Sequence, residues 1–189
     1  MPYDDPIDQI QTLLAELRSR GLLAPVCLGT VAADGSPNSR FVDCKEVRNG
    51  AVLFATDGRS VKAHEFDRDM RVSLAAWWEP LQVQLRVLGT VAPADDAVSE
   101  RIFAERSRSA KALAVLSSPN GELLDPEGFH RDVEALAASG RAIERPPHWK
   151  VYAITPAVIE ILRFSKDRIH VRTRYVTEEG RWNAARLAP

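Results

Sequence analysis

Residues 40–62 read RFVDCKEVRNGAVLFATDGRSVK and carry two apolar runs separated by Asn49-Gly50. An Asn-Gly pair in that position predicts a β-hairpin, because both residues accept the positive φ angles of a tight turn. Ser60 predicts the start of a helix, because its side chain can accept a hydrogen bond from the first helical turn. A helix start among basic residues attracts phosphate. The stretch therefore predicts strand, turn, strand and helix beside a site for a phosphorylated cofactor.

Outward from this hairpin, the chain has the pattern of a β-rich α+β protein. Short apolar or alternating segments bounded by turn residues predict strands at 26–32, 38–47, 51–56, 71–78, 81–92, 149–154, 158–162, 167–175 and 181–187. Helical periodicity predicts helices at 6–20, from 60, from 95 or 96 and at 129–138, with a weak continuation to 116 and a loop at 117–127. Six or more antiparallel strands with inserted helices favour a closed or split barrel over a doubly wound sheet.

Composition narrows the class of protein. The 189 residues suit one domain, and 25 basic against 26 acidic residues argue against a general nucleic-acid binder. Cys27 and Cys44 lie in apolar runs without metal-ligand spacing, which predicts buried thiols in a reducing compartment and no metal site. The N-terminus lacks a signal-like region, and no apolar run approaches the ~20 residues that span a bilayer. We therefore expect a cytoplasmic protein that does not enter membranes.

Five motifs in order carry a family resemblance: RFVDCK, FATDGRSVK, WWEPLQVQLRVLG, IFAERSRSA and RIHVRTRY followed by WNAARLAP. Together they resemble the pyridoxamine/pyridoxine 5'-phosphate oxidase family over residues 25–189. The resemblance implies an FMN-binding split-barrel homodimer with FMN at the subunit interface. We expect one domain over 1–189, with an N-terminal helix in 1–24, a loop and helix insertion at 117–147 and C-terminal strands at 148–189.

The resemblance also implies FMN contacts for Arg40, Lys45, Thr56, Ser60, Lys62, Gln84 and Arg172. Arg40, Ser60 and Lys62 would hold the phosphate. Thr56 would contact the phosphate or the ribityl chain, and Gln84 would hydrogen-bond the flavin ring. On spacing alone, cations at strand and helix ends are typical of a solvated surface, so these assignments depend on the resemblance.

Substrate contacts are implied for Lys45, Arg106, Arg168 and His170, with catalytic roles for Arg168 and His170. Arg168, His170 and Arg172 share parity on the predicted strand 167–175 and would need an anionic partner. Arg40 and Lys45 have opposite parity. Both can reach one ligand only if their strand bulges or ends between them.

The cofactor side departs from the family pattern at three positions. Val61 replaces an arginine, Leu162 a tryptophan and Pro119 a glutamine. Arg59 lies on the same turn as Val61, and we hypothesise that it compensates for the lost arginine. We expect cofactor binding to be weaker or differently shaped.

The substrate side has lost two hydroxyl groups, because Ile102 replaces a tyrosine and Ala110 a serine. Hydrogen bonds to a charged group contribute ~1.5–3 kcal/mol each, so the loss would weaken phosphate capture roughly 10²- to 10⁴-fold unless other groups replace them. Ser107, Ser109 and Lys111 are candidates for partial replacement.

The expected function is an FMN-dependent oxidase that transfers a hydride from a small anionic substrate to FMN, with reoxidation by oxygen. Pyridoxine or pyridoxamine 5'-phosphate is the first candidate substrate, and another carboxylated or phosphorylated ring of secondary metabolism is the second. A non-catalytic flavin-binding protein, or a relative that uses deazaflavin or haem on the same barrel, remains an alternative.

Overall fold

The computed structural model describes residues 4–188. Its strands are β1 (Pro25–Val31), β2 (Pro37–Arg48), β3 (Ala51–Asp57), β4 (Arg71–Trp78), β5 (Val83–Pro93), β6 (Trp149–Arg163), β7 (Val171–Glu178) and β8 (Arg181–Leu187). Its helices are α1 (Pro6–Ser19), α2 (Val61–Arg68), α3 (Asp96–Ala104), α4 (Arg108–Leu116) and α5 (Pro126–Ala138), with a short 3-10 helix at Glu79–Leu81.

The eight strands form one sheet in the order β3-β2-β1-β4-β5-β6-β7-β8. A further pairing of β3 with β6 closes the first six strands into an antiparallel barrel, and β7 and β8 extend from β6. The barrel predicted from the strand pattern is therefore confirmed.

Local chemistry explains the elements that were predicted most closely. Asn49 and Gly50 have φ angles of 51° and 78°, as a tight hairpin between β2 and β3 requires. The Asp5 side chain accepts a hydrogen bond from the amide of Ile7 at 2.7 Å and so begins α1, while Gly21 follows the helix with a φ of 69°. The buried face of α1 consists of Pro6, Ile10, Leu13, Leu14 and Leu17.

Four predicted boundaries are wrong. β6 is one continuous strand where two were predicted, and the weak helical continuation is a separate helix, α4, which Ser107 caps by accepting from the amide of Ala110. Pro126 occupies the first turn of α5, three residues before the predicted start, because the Asp125 side chain caps that turn. β7 begins at Val171 instead of residue 167.

The chain divides into two compact units, which we describe separately. The barrel unit comprises residues 4–54, 65–92 and 153–188, and the helical unit comprises residues 55–64 and 93–152. Fully buried aliphatic side chains fill the barrel unit, among them Val26, Leu28, Leu85, Ile154 and Ile159. The core of the helical unit includes Ile102, Phe103, Ala112, Trp149 and Val151.

Cys27 and Cys44 are both free thiols; Cys44 is buried as predicted, whereas Cys27 is half-buried. Burial raises the pKa of the Cys44 thiol to about 12, so it stays protonated at neutral pH. Among the helices within residues 4–188, none has the length and apolar character needed to cross a membrane.

Gly89 of β5 lies against the backbone of β6. A Cβ atom at this position would lie 2.2 Å from the carbonyl oxygen of Thr155 and 3.0 Å from the Cα of Pro156. Because backbone atoms cannot rotate away, Gly89→Ala is expected to lower the free energy of unfolding by about 1–3 kcal/mol. Urea denaturation measures this change. The control is Gly121→Ala, whose nearest contact would be 3.6 Å and which should unfold like the parent protein; equal stability of the two variants would contradict the prediction.

Candidate functional site

Three of the predicted cofactor residues come together in the helical unit. Thr56 lies near the end of β3, and Ser60 and Lys62 lie at the start of α2. The ammonium group of Lys62 donates to the Thr56 hydroxyl at 3.0 Å and to the Ser60 hydroxyl at 3.2 Å. Ser60 is buried, with 5% of its surface exposed. We call Thr56, Ser60 and Lys62 the hydroxyl-lysine cluster.

The start of α2 adds backbone donors to this cluster. The carbonyl of Ser60 accepts from the amides of Ala63 and His64, so the helix begins immediately after Ser60. The amides of Val61 and Lys62 belong to the first turn and have no intrahelical acceptor. A phosphate offers only acceptors at neutral pH, so hydroxyls, an ammonium group and helix N-terminal amides fit the phosphate of FMN chemically.

Arg59, the hypothesised substitute for the arginine lost at Val61, is already paired. Its guanidinium donates to the Asp57 carboxylate at 3.0 and 2.7 Å and to the Ser117 carbonyl at 2.8 Å. Burial alone would raise the pKa of Asp57. The hydrogen bonds from Arg59 and the electrostatic effect of the nearby His148 lower the pKa by more, so the net pKa lies below the ordinary value. Compensation by Arg59 remains a prediction, and it would require the guanidinium to leave this carboxylate.

Arg40 lies in a buried network of the barrel unit. The Glu65 carboxylate, buried on α2, accepts from Thr30 at 2.6 Å, Asn38 at 2.8 Å and Arg40 at 2.9 Å. Burial alone would raise the pKa of Glu65. The three hydrogen bonds lower the pKa by more than burial raises it, so the net pKa is below the ordinary value. Glu65 was not among the predicted site residues, because its partners are at least 25 residues away and no local sequence pattern reveals them.

Lys45 occupies the irregular position of β2. The register with β3 shifts between Cys44 and Glu46, so Lys45 is the extra residue of a bulge. This irregularity meets the parity requirement stated for Arg40 and Lys45. The ammonium group of Lys45 lies 2.5 Å from the carboxylate of Asp43, a second neighbour that sequence reasoning missed.

Gln84 is half-buried on β5, between the buried residues Val83 and Leu85, and pairs with Trp77 of β4. The predicted alternation along this strand is confirmed. Within residues 4–188, the side-chain amide of Gln84 makes no hydrogen bond, so it is available to a ligand.

The three C-terminal cations do not share a strand face, so that prediction is wrong. β7 begins at Val171, which leaves Arg168 and His170 in the preceding loop. Arg168 has a φ of 64°, and the amide of Ile169 donates to the Asp167 side chain, which together form a turn where a strand was predicted.

His170 and Arg172 have defined partners within the barrel unit. His170 accepts a hydrogen bond at Nδ1 from the amide of Ser165 at 3.1 Å, and its ring lies 4.5 Å from that of Phe164. Of the three cations for which an anionic partner was expected, Arg172 has one in Glu160, which accepts from it at 2.8 Å. For Arg168 and His170 the expectation remains a prediction. Burial alone would raise the pKa of Glu160. The hydrogen bond from Arg172 and the positive charges of Arg172, Arg86 and Arg174 bring the net pKa below the ordinary value.

Arg106 carries an unsatisfied buried donor in the helical unit. Its Nη2 donates to the carbonyl of Ala110 at 3.0 Å, and its guanidinium carbon lies 5.2 Å from the ring centroid of Trp149. The Nε–H group is buried, and no partner for it occurs in the described part of the chain. Burial lowers the pKa of Arg106. An unpaired buried cationic donor is costly, so this side chain is suited to an anionic ligand.

Two of the three candidates to replace the absent hydroxyl groups at Ile102 and Ala110 already have partners in the helical unit, and replacement by these two or by Ser109 remains a prediction. The Lys111 ammonium donates to the Ala104 carbonyl, and Ser107 caps α4. Residues 4–188 contain no group of three or more His, Cys, Asp or Glu side chains placed to hold a metal ion.

Comparison with known proteins identifies the family. A family model described as pyridoxamine 5'-phosphate oxidase matches residues 14–144. A second, described as the pyridoxine 5'-phosphate oxidase C-terminal dimerisation region, matches residues 149–189. A pyridoxine/pyridoxamine 5'-phosphate oxidase of Cyanothece sp. is 30% identical over 189 residues, or 98% of this chain and 89% of the relative. One from Caulobacter vibrioides is 33% identical over 165 residues, or 86% and 74%.

Solved structures share the fold of this chain. PhzG from Burkholderia lata, in complex with tetrahydrophenazine-1-carboxylic acid, has a TM-score of 0.88 at 26% identity and covers 100% of this chain and 94% of its own. A pyridoxamine 5'-phosphate oxidase-related, FMN binding protein from Nostoc punctiforme has a TM-score of 0.83 at 18% identity, covers 100% of both chains and shows the shared fold. Because the first family model alone matches most of the sequence, this chain belongs to the pyridoxamine 5'-phosphate oxidase family.

Proposed function

We propose that this protein is a homodimeric, FMN-dependent oxidase of small anionic ring compounds. The observation that carries the cofactor assignment is the hydroxyl-lysine cluster at the start of α2, whose donors suit a phosphate. Gln84 would hydrogen-bond the flavin ring with its side-chain amide. Arg40 and Arg172 would contact FMN as cations already paired with Glu65 and Glu160. The match to the family's C-terminal dimerisation region supports the homodimer.

When bound, FMN supplies a ring that accepts a hydride from the substrate and passes the electrons to oxygen. The protein supplies orientation and charge. Lys45, Arg106 and Arg168 would attract the anionic group of the substrate. Nδ1 of His170 accepts a hydrogen bond from Ser165, so the proton of the neutral ring lies on Nε2. Nε2 is then the atom that would donate to the substrate or exchange a proton with it.

Two substrate classes compete within this proposal. Pyridoxine and pyridoxamine 5'-phosphate are supported by the names of the curated relatives. A carboxylated ring is supported by Ile102 and Ala110, which lack the hydroxyls expected around a phosphate, and by the carboxylic acid in the PhzG complex. The missing hydroxyls favour the carboxylated ring.

Anaerobic reduction of the flavin tests the proposal. FMN-loaded protein would be mixed without oxygen with pyridoxine 5'-phosphate or, separately, with tetrahydrophenazine-1-carboxylic acid, and the visible spectrum recorded. We expect at least one compound to bleach the oxidised-flavin band and air to restore it. If neither compound reduces the flavin, the oxidase proposal is contradicted and a non-catalytic flavin-binding role is favoured.

A further inference from the structure

The charge of Lys45 is not free, because the carboxylate of Asp43 lies 2.5 Å from its ammonium group. The two residues are two positions apart on β2, and each side chain is 31% exposed. Both side chains are thus partly withdrawn from water. Their charges are therefore screened less than those of a fully exposed pair.

Asp43 is held in place from its other side. Its second carboxylate oxygen accepts a hydrogen bond from the backbone amide of Ala24 at 3.1 Å. The negative charge is therefore hydrogen-bonded to the backbone as well as paired with Lys45, which holds it beside the ammonium group. An approaching anion meets a fixed Lys45–Asp43 pair of zero net charge instead of an isolated cation.

We propose that Asp43 is a specificity-determining residue that biases the Lys45 position toward singly charged carboxylates and against doubly charged phosphates. This inference rests on the proposed function, in which Lys45 holds the substrate anion. Coulomb energy is proportional to the charge of the ligand, so the repulsion from Asp43 is twice as large for a dianion as for a monoanion. The missing hydroxyls at Ile102 and Ala110 act in the same direction.

The proportionality gives a prediction about a ratio. If Asp43→Asn tightens binding of a monoanion by a factor f, it should tighten binding of a matched dianion by about f squared. We expect f of about 3 to 10, and hence about 10- to 100-fold for the dianion. Asn has almost the shape of Asp, and its side-chain oxygen can still accept from Ala24, so the local fold should be retained.

The experiment compares phenylacetate, a monoanion, with benzyl phosphate, which is mainly a dianion at about pH 8. Calorimetry on the FMN-loaded protein gives both dissociation constants for the parent, Asp43→Asn and Lys45→Gln. Asp69→Asn is the control, because it removes the same charge from a pair with Arg71 on another part of the barrel unit. This control should leave both dissociation constants unchanged.

The outcomes separate the inference from the proposed function. A larger gain for benzyl phosphate than for phenylacetate in Asp43→Asn, absent in Asp69→Asn, supports the inference. Equal gains or no gain overturn it, and the proposed function survives if Lys45→Gln weakens both ligands. If Lys45→Gln changes neither ligand, or neither binds the parent, the anion does not lie at Lys45 and both proposals fail there.

Discussion

Lys62→Gln is expected to raise the dissociation constant for FMN about 100-fold. The ammonium group of Lys62 is the only cation of the hydroxyl-lysine cluster and lies within 3.2 Å of both hydroxyls. A hydrogen bond to a charged group contributes about 1.5–3 kcal/mol, and a factor of 100 corresponds to about 2.7 kcal/mol. Gln can still hydrogen-bond Thr56 and Ser60. The loss of FMN affinity would therefore come mainly from the missing positive charge and less from altered packing. Quenching of flavin fluorescence during titration measures the constant.

The matched control for this variant is Arg131→Gln, which removes one positive charge from the exposed surface of α5 in the same helical unit. It should bind FMN like the parent protein. Circular dichroism of both variants checks that the fold is retained. If Lys62→Gln binds FMN within a factor of three of Arg131→Gln, the phosphate does not depend on Lys62.

Glu65→Ala is expected to lower the free energy of unfolding by about 3–5 kcal/mol at neutral pH. Only 6% of the Glu65 side chain is exposed, and its removal takes an acceptor from Thr30, Asn38 and Arg40. Thr30 keeps a weaker acceptor in the Asn38 carbonyl at 3.4 Å. Urea denaturation measures the loss. Glu16→Ala is the control, because Glu16 pairs with Arg20 at the exposed surface of α1. Such a pair contributes well under about 1 kcal/mol, and equal losses in the two variants would contradict the account.

The contribution of Glu65 should also depend on pH. Its pKa in the folded protein lies below the ordinary value. The stabilisation is therefore complete above the pKa of the unfolded chain, about 4.3, and is lost as the pH falls through the lower pKa of the folded state. The difference in stability between the parent protein and Glu65→Ala should accordingly shrink in acid and stay constant near neutrality. If the difference in stability between the two proteins grew in acid, the pKa of Glu65 in the folded protein would lie above the ordinary value, contrary to this prediction.

Much of the fold could be predicted because its determinants are local. The turn at Asn49-Gly50, the cap at Asp5 and the alternation along β5 each depend on a few adjacent residues. The start of β7 could not be predicted, because Arg168 adopts a left-handed conformation that no turn residue in the sequence, such as glycine or asparagine, indicates. The same loop separates Arg168 and His170 from Arg172.

The sequence predicted which basic and hydroxyl residues form the candidate site, but not the acidic residues that pair with them. The family motifs gave Thr56, Ser60 and Lys62, and the structure places them in contact. The carboxylates Asp43 and Glu65, which pair with Lys45 and Arg40, carry no motif of their own. Their effect arises from strand geometry and from contacts distant in sequence, and it decides how much positive charge is available to a ligand.

The mass of the cofactor bound to purified protein decides between FMN and the alternative cofactors. Protein saturated with a mixture of FMN, a deazaflavin and haem, washed and then denatured, would release its ligand for mass spectrometry. We expect one FMN per protomer for the parent protein and a much lower FMN content for Lys62→Gln. Release of deazaflavin or haem, or of no cofactor at all, would contradict it.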